Sequence, residues 1–155
     1  MPKAIKAALF NGLVQEIFRL NGRLTAAGDS LVGPLGLTHA RWQVLSTILI
    51  LQGAAPVVRV AKVMGLMRQS VQRVVNELEA EGIVRFRPNP RHKRAKLVTL
   101  TAKGSAAAEA AMKLQQPWAA ILAAEVDRQA LETTLHTLQQ LRAKLETADA
   151  FGGIL

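Results

Sequence analysis

Residues 65–103 constrain this chain most, because two apolar periods follow one another there with a glycine between them. Val71, Val74, Val75, Leu78 and Ile83 recur at helical spacing, which predicts a helix with one buried face. Arg68, Gln69, Gln72 and Arg73 fall on the opposite face of its first turns. Gly82 ends the helix, as a residue that tolerates positive φ just past the last turn. Val84 and Phe86 then alternate with Arg85 and Arg87, the two-residue period of a half-buried strand. Pro88-Asn89-Pro90 stops that strand, and Val98 and Leu100 resume an extended segment after the basic run Arg91-His92-Lys93-Arg94-Ala95-Lys96. Helix, strand, basic loop, strand is the outline of a winged helix-turn-helix. The expectation it sets is a DNA-binding module.

Charge supports that expectation once it is located. The chain has 155 residues and a net charge of +9. Residues 57–103 hold eleven basic side chains against three acidic ones, and the remainder holds nine against eight. A solvated charged face explains many basic runs. Joined to a helix-turn-helix pattern, the run is better read as the footprint of a polyanion, because phosphate neutralisation supplies most non-specific affinity. The length suits one compact domain with a real core, and an apolar content of 50% argues against disorder. Cysteine is absent, which excludes disulfides, thiol redox sensing and thiolate metal sites. His39, His92 and His136 are scattered without ligand spacing, so neither a metal nor any other cofactor is expected. No Gly-rich phosphate loop and no nucleophile–base spacing supports an enzyme. The amino-terminal pattern is not that of a signal peptide. Residues 42–58 lack charge but are interrupted by Gln43, Ser46, Thr47, Gln52, Gly53 and Pro56, which argues against a membrane span. A soluble cytoplasmic protein is the expectation.

The flanks read as long helices. Ile5, Leu9, Leu13, Ile17, Leu20 and Leu24 form a stripe with Phe10 and Phe18 beside it, predicting a helix from residue 2 or 3 to about 27 and a connector over 28–36. Thr38 caps the next helix, in which Trp42, Leu45, Ile48, Leu49 and Leu51 face inward, ending at Gln52-Gly53. Pro56 suits the first turn of a short helix over 57–64, with Val60, Ala61 and Met64 inward. Met67 stands where a hydroxyl cap is expected for the following helix. Thr101 caps a helix running to about 124, in which Pro117 must kink the chain or interrupt a backbone bond. Asp127 caps a last helix whose Leu131, Leu135, Leu138, Leu141 and Leu145 form a second stripe. Both stripes need a partner, on the same chain or on a second subunit; together they suggest an intertwined dimer platform. Residues 151–155 form an apolar tail with no assigned role.

Taken in order, these segments resemble the MarR family of transcriptional regulators over nearly the whole chain. The matching residues are Gly36-Leu37-Thr38-His39-Ala40-Arg41-Trp42-Gln43-Val44-Leu45 and Val60-Ala61-Lys62-Val63-Met64-Gly65-Leu66-Met67-Arg68-Gln69-Ser70-Val71. Leu78-Glu79-Ala80-Glu81-Gly82-Ile83-Val84, Pro88-Asn89-Pro90 and Arg94-Ala95-Lys96-Leu97-Val98-Thr99-Leu100-Thr101 continue the match. The resemblance implies a single domain over 1–155, mainly α with a small β-hairpin wing. Its winged-helix lobe spans 38–103, and helical dimerisation regions span 3–30 and 104–148. It implies a homodimer gripping a pseudo-palindromic operator in double-stranded DNA and usually repressing its target. It also implies a small aromatic or apolar anionic effector in a pocket between platform and lobes, where His39 or Arg41 would meet the anion. Two residues depart from the pattern. Asn89 and His92 stand where the family often has Asp, one of which commonly pairs with the wing arginine, here Arg94; this predicts a more positive wing without that buttress, mobile in the absence of DNA. Met67 replaces a small hydroxyl residue.

In this reading the recognition helix is about 20 Å long and enters a major groove, its first turns meeting base edges. Arg68 and Arg73 would read guanine or hold phosphate, Gln69 and Gln72 would read adenine, and Ser70 suits either a base or a phosphate. Arg91 and Arg94 are expected in the minor groove, with His92, Lys93 and Lys96 on phosphate. Two alternatives stand beside this one: a sequence-neutral architectural DNA- or RNA-binding protein, and a helical scaffold whose basic face is incidental.

Overall fold

The computed structural model describes residues 3–147. Six α-helices and three strands follow in the order α1 (Lys3–Val32), α2 (His39–Ile50), β1 (Ala54–Pro56), α3 (Val57–Met64), α4 (Arg68–Ala80), β2 (Val84–Arg87), β3 (Leu97–Leu100), α5 (Ala102–Ala123) and α6 (Arg128–Thr147). The chain divides into two compact units, one ending at Gln115 and the other beginning at Gln116, within α5 and beside Pro117. Proline lacks the amide that a continuous helix requires, so one rung of the α5 ladder is missing at Pro117. The apolar tail at 151–155 lies outside the described residues.

In the first unit, α2, α3 and α4 surround one core. Val44, Leu45, Ile48, Val60, Val71, Val75, Leu78, Val84 and Val98 are almost fully buried in it, and Trp42, Met64 and Phe86 close its edge. The helix ends follow from local chemistry. The Thr38 hydroxyl accepts from the Arg41 amide at 3.3 Å, and the Asp127 carboxylate accepts from the Ala130 amide at 2.9 Å. Gly82 takes φ +70°, so that the Ile83 amide reaches back to the Leu78 carbonyl at 2.9 Å and closes α4.

Three expectations are corrected. The β2–β3 hairpin stands as expected, and Ala54–Pro56, expected to lie outside any strand, adds β1 to it in the order β1-β3-β2, antiparallel throughout. Ala54, Ala55 and Pro56 pair with Thr99, Val98 and Leu97, so Pro56 ends a strand and directly precedes α3. Second, α1 runs on to Val32, into the first half of the 28–36 stretch expected to be a connector, which is left as a single 3-10 turn over Gly33–Leu35 and Gly36. Gly28 does not break α1. It is a buried notch against α2, where a methyl group would overlap the His39 ring. Third, Leu49 is exposed, and Val44 occupies the buried position of α2 in its place.

Candidate nucleic-acid interface

Apart from Gly82 beyond its last turn, helix α4 lacks the usual stabilising residues at its ends. Met67 at its N-cap makes no side-chain hydrogen bond, no acid lies in its first turn, and no base lies in its last. Arg68 begins the helix and Glu77 and Glu79 lie toward its end, opposite to what the helix dipole favours. The missing cap costs about 1 kcal/mol and each mis-signed end charge about 0.3–1 kcal/mol. Burial of Val71, Val75 and Leu78 contributes about 1.5–3 kcal/mol for each side chain. Packing wins, and the outer face is left to carry residues chosen for something other than helix stability.

That face holds Arg68, Gln69, Gln72, Arg73 and Asn76 along a groove of about 630 Å³ that also includes Glu77. The Gln72 amide donates to Asn76 Oδ1 at 2.8 Å, one turn further on. Asn76 was not among the expected site residues, although its four-residue step from Gln72 places it on the same face. Arg68 and Gln72 also line a second cleft, of about 660 Å³, across which stand Arg94, Ala95 and Lys96 of the loop between β2 and β3. Pro56, Val57, Val58 and Phe86 form its apolar wall, and Glu79 lies at its rim. The fold therefore brings the helix and wing candidates Arg68, Gln72, Arg94 and Lys96 together. Ser70 is exposed on α4 outside both grooves, and Arg91, His92 and Lys93 are exposed on the wing loop. None of these cations forms an ion pair among the described residues.

The wing loop lacks an acid on Arg94 but has a clasp. Asn89 donates from Nδ2 to the Ala95 carbonyl at 2.9 Å and accepts the Arg91 amide on Oδ1 at 3.0 Å. The His92 amide reaches the Asn89 carbonyl at 3.2 Å, and the Ala95 amide reaches the His92 carbonyl at 3.1 Å. Arg94 thus pairs with no acid among the described residues, and a neutral side chain closes the loop instead and leaves its positive charge undiminished. Aspartate at position 89 could accept from Arg91 but could not donate to Ala95.

The two effector candidates separate. Arg41 forks onto Glu81, with Nη2 at 2.7 Å and Nη1 at 3.1 Å, and approaches Glu77 at 3.6 Å. The Glu81 hydrogen bonds hold its guanidinium pKa above the ordinary value, against the opposing effect of burial. His39 packs edge-on to Trp42, with ring centroids 5.7 Å apart, and its amide donates to Asp29 Oδ1 at 2.7 Å. Its Nδ1 is buried without a hydrogen-bond partner among the described residues. His39, Trp42, Gln43, Ser46, Thr47, Val63 and Met64 line a cavity of about 360 Å³ between α2 and α3, with no Lys or Arg in its lining. No helix among the described residues is long and apolar enough to cross a membrane, and no group of three or more His, Asp or Glu there could hold a metal ion.

Known proteins agree with this architecture. A profile described as MarR family matches residues 35–95. An uncharacterized protein of Mycobacterium tuberculosis is 34% identical over 134 residues, covering 86% of this chain and 92% of the relative. A MarR mutant from Escherichia coli, solved in complex with operator DNA, superposes with a TM-score of 0.75 at 26% identity over 84% of this chain and 93% of that one. A ligand-free organohalide-sensing transcriptional regulator shares the fold, with a TM-score of 0.78 at 18% identity over 92% of this chain and 84% of that one. With its three-stranded wing, its α3–α4 helix-turn-helix and these likenesses, the chain belongs to the MarR family of winged-helix transcriptional regulators.

Proposed function

We propose that the protein is a homodimeric, sequence-specific DNA-binding repressor, released from its operator by a small aromatic effector. The observation that carries the DNA-binding part is the cleft in which Arg68 and Gln72 of α4 face Arg94 and Lys96 of the wing, with no carboxylate among the described residues paired to either arginine or to the lysine. Positive charge held without an internal partner is available to phosphate. Gln69, Gln72, Arg73 and Asn76 supply the donor and acceptor pairs that base edges require, while Arg91 and Arg94 reach for the minor groove and His92, Lys93 and Lys96 for phosphate. The dimer is supported by two uncovered stripes. Ile5, Leu9 and Ile17 on α1, and Leu131, Leu135 and Leu145 on α6, are all exposed in the single chain; Leu13, Leu138 and Leu141 are half-buried. Helical regions 3–30 and 104–148 are thus the proposed dimerisation arms of the 38–103 lobe.

The effector reading narrows. Arg41 is engaged by Glu81 and Glu77, which favours the His39 cavity as the proposed effector site. Trp42 and Met64 offer stacking surface, and Gln43 and Ser46 offer neutral hydrogen-bonding groups. Such a lining suits a neutral aromatic molecule with a hydroxyl better than a carboxylate. Trp42 and Trp118 are the two tryptophans of the chain, so titration of a Trp118→Phe variant with phenol and benzoate should quench Trp42 fluorescence with phenol at the lower concentration.

The test of the main proposal is selection of bound fragments from genomic DNA, followed by competition. A sequence-specific regulator prefers its selected fragment over random duplex by roughly a thousandfold or more. Equal affinity for both would establish the sequence-neutral alternative instead.

A further inference from the structure

We propose that Arg41 and Glu81 form a positioning pair that sets the angle at which recognition helix α4 meets base edges. The proposal rests on the DNA-binding reading above and concerns the C-terminal end of α4, away from the first turns assigned to base edges. Arg41, with 18% of its side chain exposed, projects from α2 and grips Glu81, immediately after α4, through two hydrogen bonds. Its second contact, Glu77, lies one turn earlier on the same helix. The backbone there is held from the other side. Lys103 Nζ donates to the Glu81 carbonyl at 2.9 Å, and the Thr101 hydroxyl lies 2.7 Å from the Gly82 carbonyl and 3.0 Å from that of Ile83. The C-terminal end of α4 is thereby tied to α2 through Glu77 and Glu81, and the residues just after it are tied to Thr101 and Lys103 through the carbonyls of Glu81, Gly82 and Ile83.

The apolar face of α4 fixes how deeply the helix sits, but hydrophobic contact is non-directional. A bidentate guanidinium–carboxylate pair is directional. Over a helix about 20 Å long, a tilt of about 5° about the anchored end moves the far end by about 1.7 Å. Base-edge hydrogen bonds tolerate only about 0.5 Å. Cation–phosphate attraction falls with the inverse of distance and hardly registers such a shift. Loosening the pair therefore removes sequence preference and leaves general DNA affinity. Because partly exposed ion pairs contribute little to stability, the melting temperature should move little.

The experiment compares Arg41→Gln, Glu81→Gln, the double variant and the exchanged pair Arg41→Glu/Glu81→Arg, in the full-length protein. Binding to the selected fragment and to random duplex is measured at two salt concentrations, together with thermal melting. Each single variant is expected to lose about tenfold or more in preference for the selected fragment, equivalent to 1.4 kcal/mol. Random-duplex affinity should stay within about twofold, the double variant should be no worse than the singles, and the exchanged pair should recover most of the loss. Were the effect only one of net charge, Arg41→Gln would weaken and Glu81→Gln would strengthen binding to all DNA. Opposite shifts of that kind, unchanged preference, or equal loss on both DNAs with a lowered melting temperature would each overturn the proposal alone. A wild-type protein with no preference for any fragment would overturn the DNA-binding reading and this pair's role with it.

Discussion

Helices α4 and α6 carry the same apolar code and meet opposite fates. Val71, Val75 and Leu78 of α4 are 1%, 0% and 0% exposed, whereas Leu131, Leu135 and Leu145 of α6 are 44%, 58% and 66% exposed. Not one residue of α6 is buried. A three- and four-residue period states that a helix has a face to cover, not what covers it. For α4 the cover is the core of its own lobe, and it tolerates a missing cap and mis-signed ends because that core holds it. For α6 the proposed cover is a second copy of the chain.

The largest expected effect breaks this contrast at α6. The double variant Leu131→Asp/Leu135→Asp should sediment at the mass of one 16.7 kDa chain, where the wild type is expected at twice that mass. Its affinity for the selected fragment should fall by about 10²–10⁴, the loss expected when two linked lobes become one. The lobe should melt with little change, because these leucines are outside its core. On the lobe side, Gly28→Ala presses a methyl into the His39 ring and should destabilise the protein by about 1–3 kcal/mol in thermal or urea melting. Arg94→Ala should leave stability alone, weaken binding to all duplexes by about tenfold and lower the slope of log affinity against log salt by about one. The smallest effect is a gain. Met67→Ser supplies the absent cap and should stabilise the fold by about 1 kcal/mol in the same melting experiment.

Where the determinants were local, the sequence was readable. The limits of α3 and α4, the Gly82 terminus and the caps at Thr38 and Asp127 follow from residues within a few positions of one another. Strand β1 does not. Alanine and proline carry little strand preference, and the segment becomes a strand only because Val98 and its neighbours, more than forty residues later, offer a ladder. Gly28 looked like a helix breaker because its reason, the His39 ring, arrives from another element. The site divides in the same way. Its basic residues were visible as a charge run, and Asn76 could have been found from its step to Gln72. The Arg41–Glu81 pair spans forty positions and leaves no periodic trace. At Asn89 the departure from the family's aspartate was visible, but not the clasp it makes, since the Ala95 carbonyl is aligned only once the loop has closed.

The central claim, that two copies of one basic helix and one basic wing read adjacent turns of a duplex, is most directly tested by footprinting the protein on its selected fragment. The account predicts two major-groove protections about 10–10.5 base pairs apart, centre to centre, each flanked by a minor-groove protection that disappears in Arg94→Ala. A single protected patch, or uniform protection along the fragment, would contradict it.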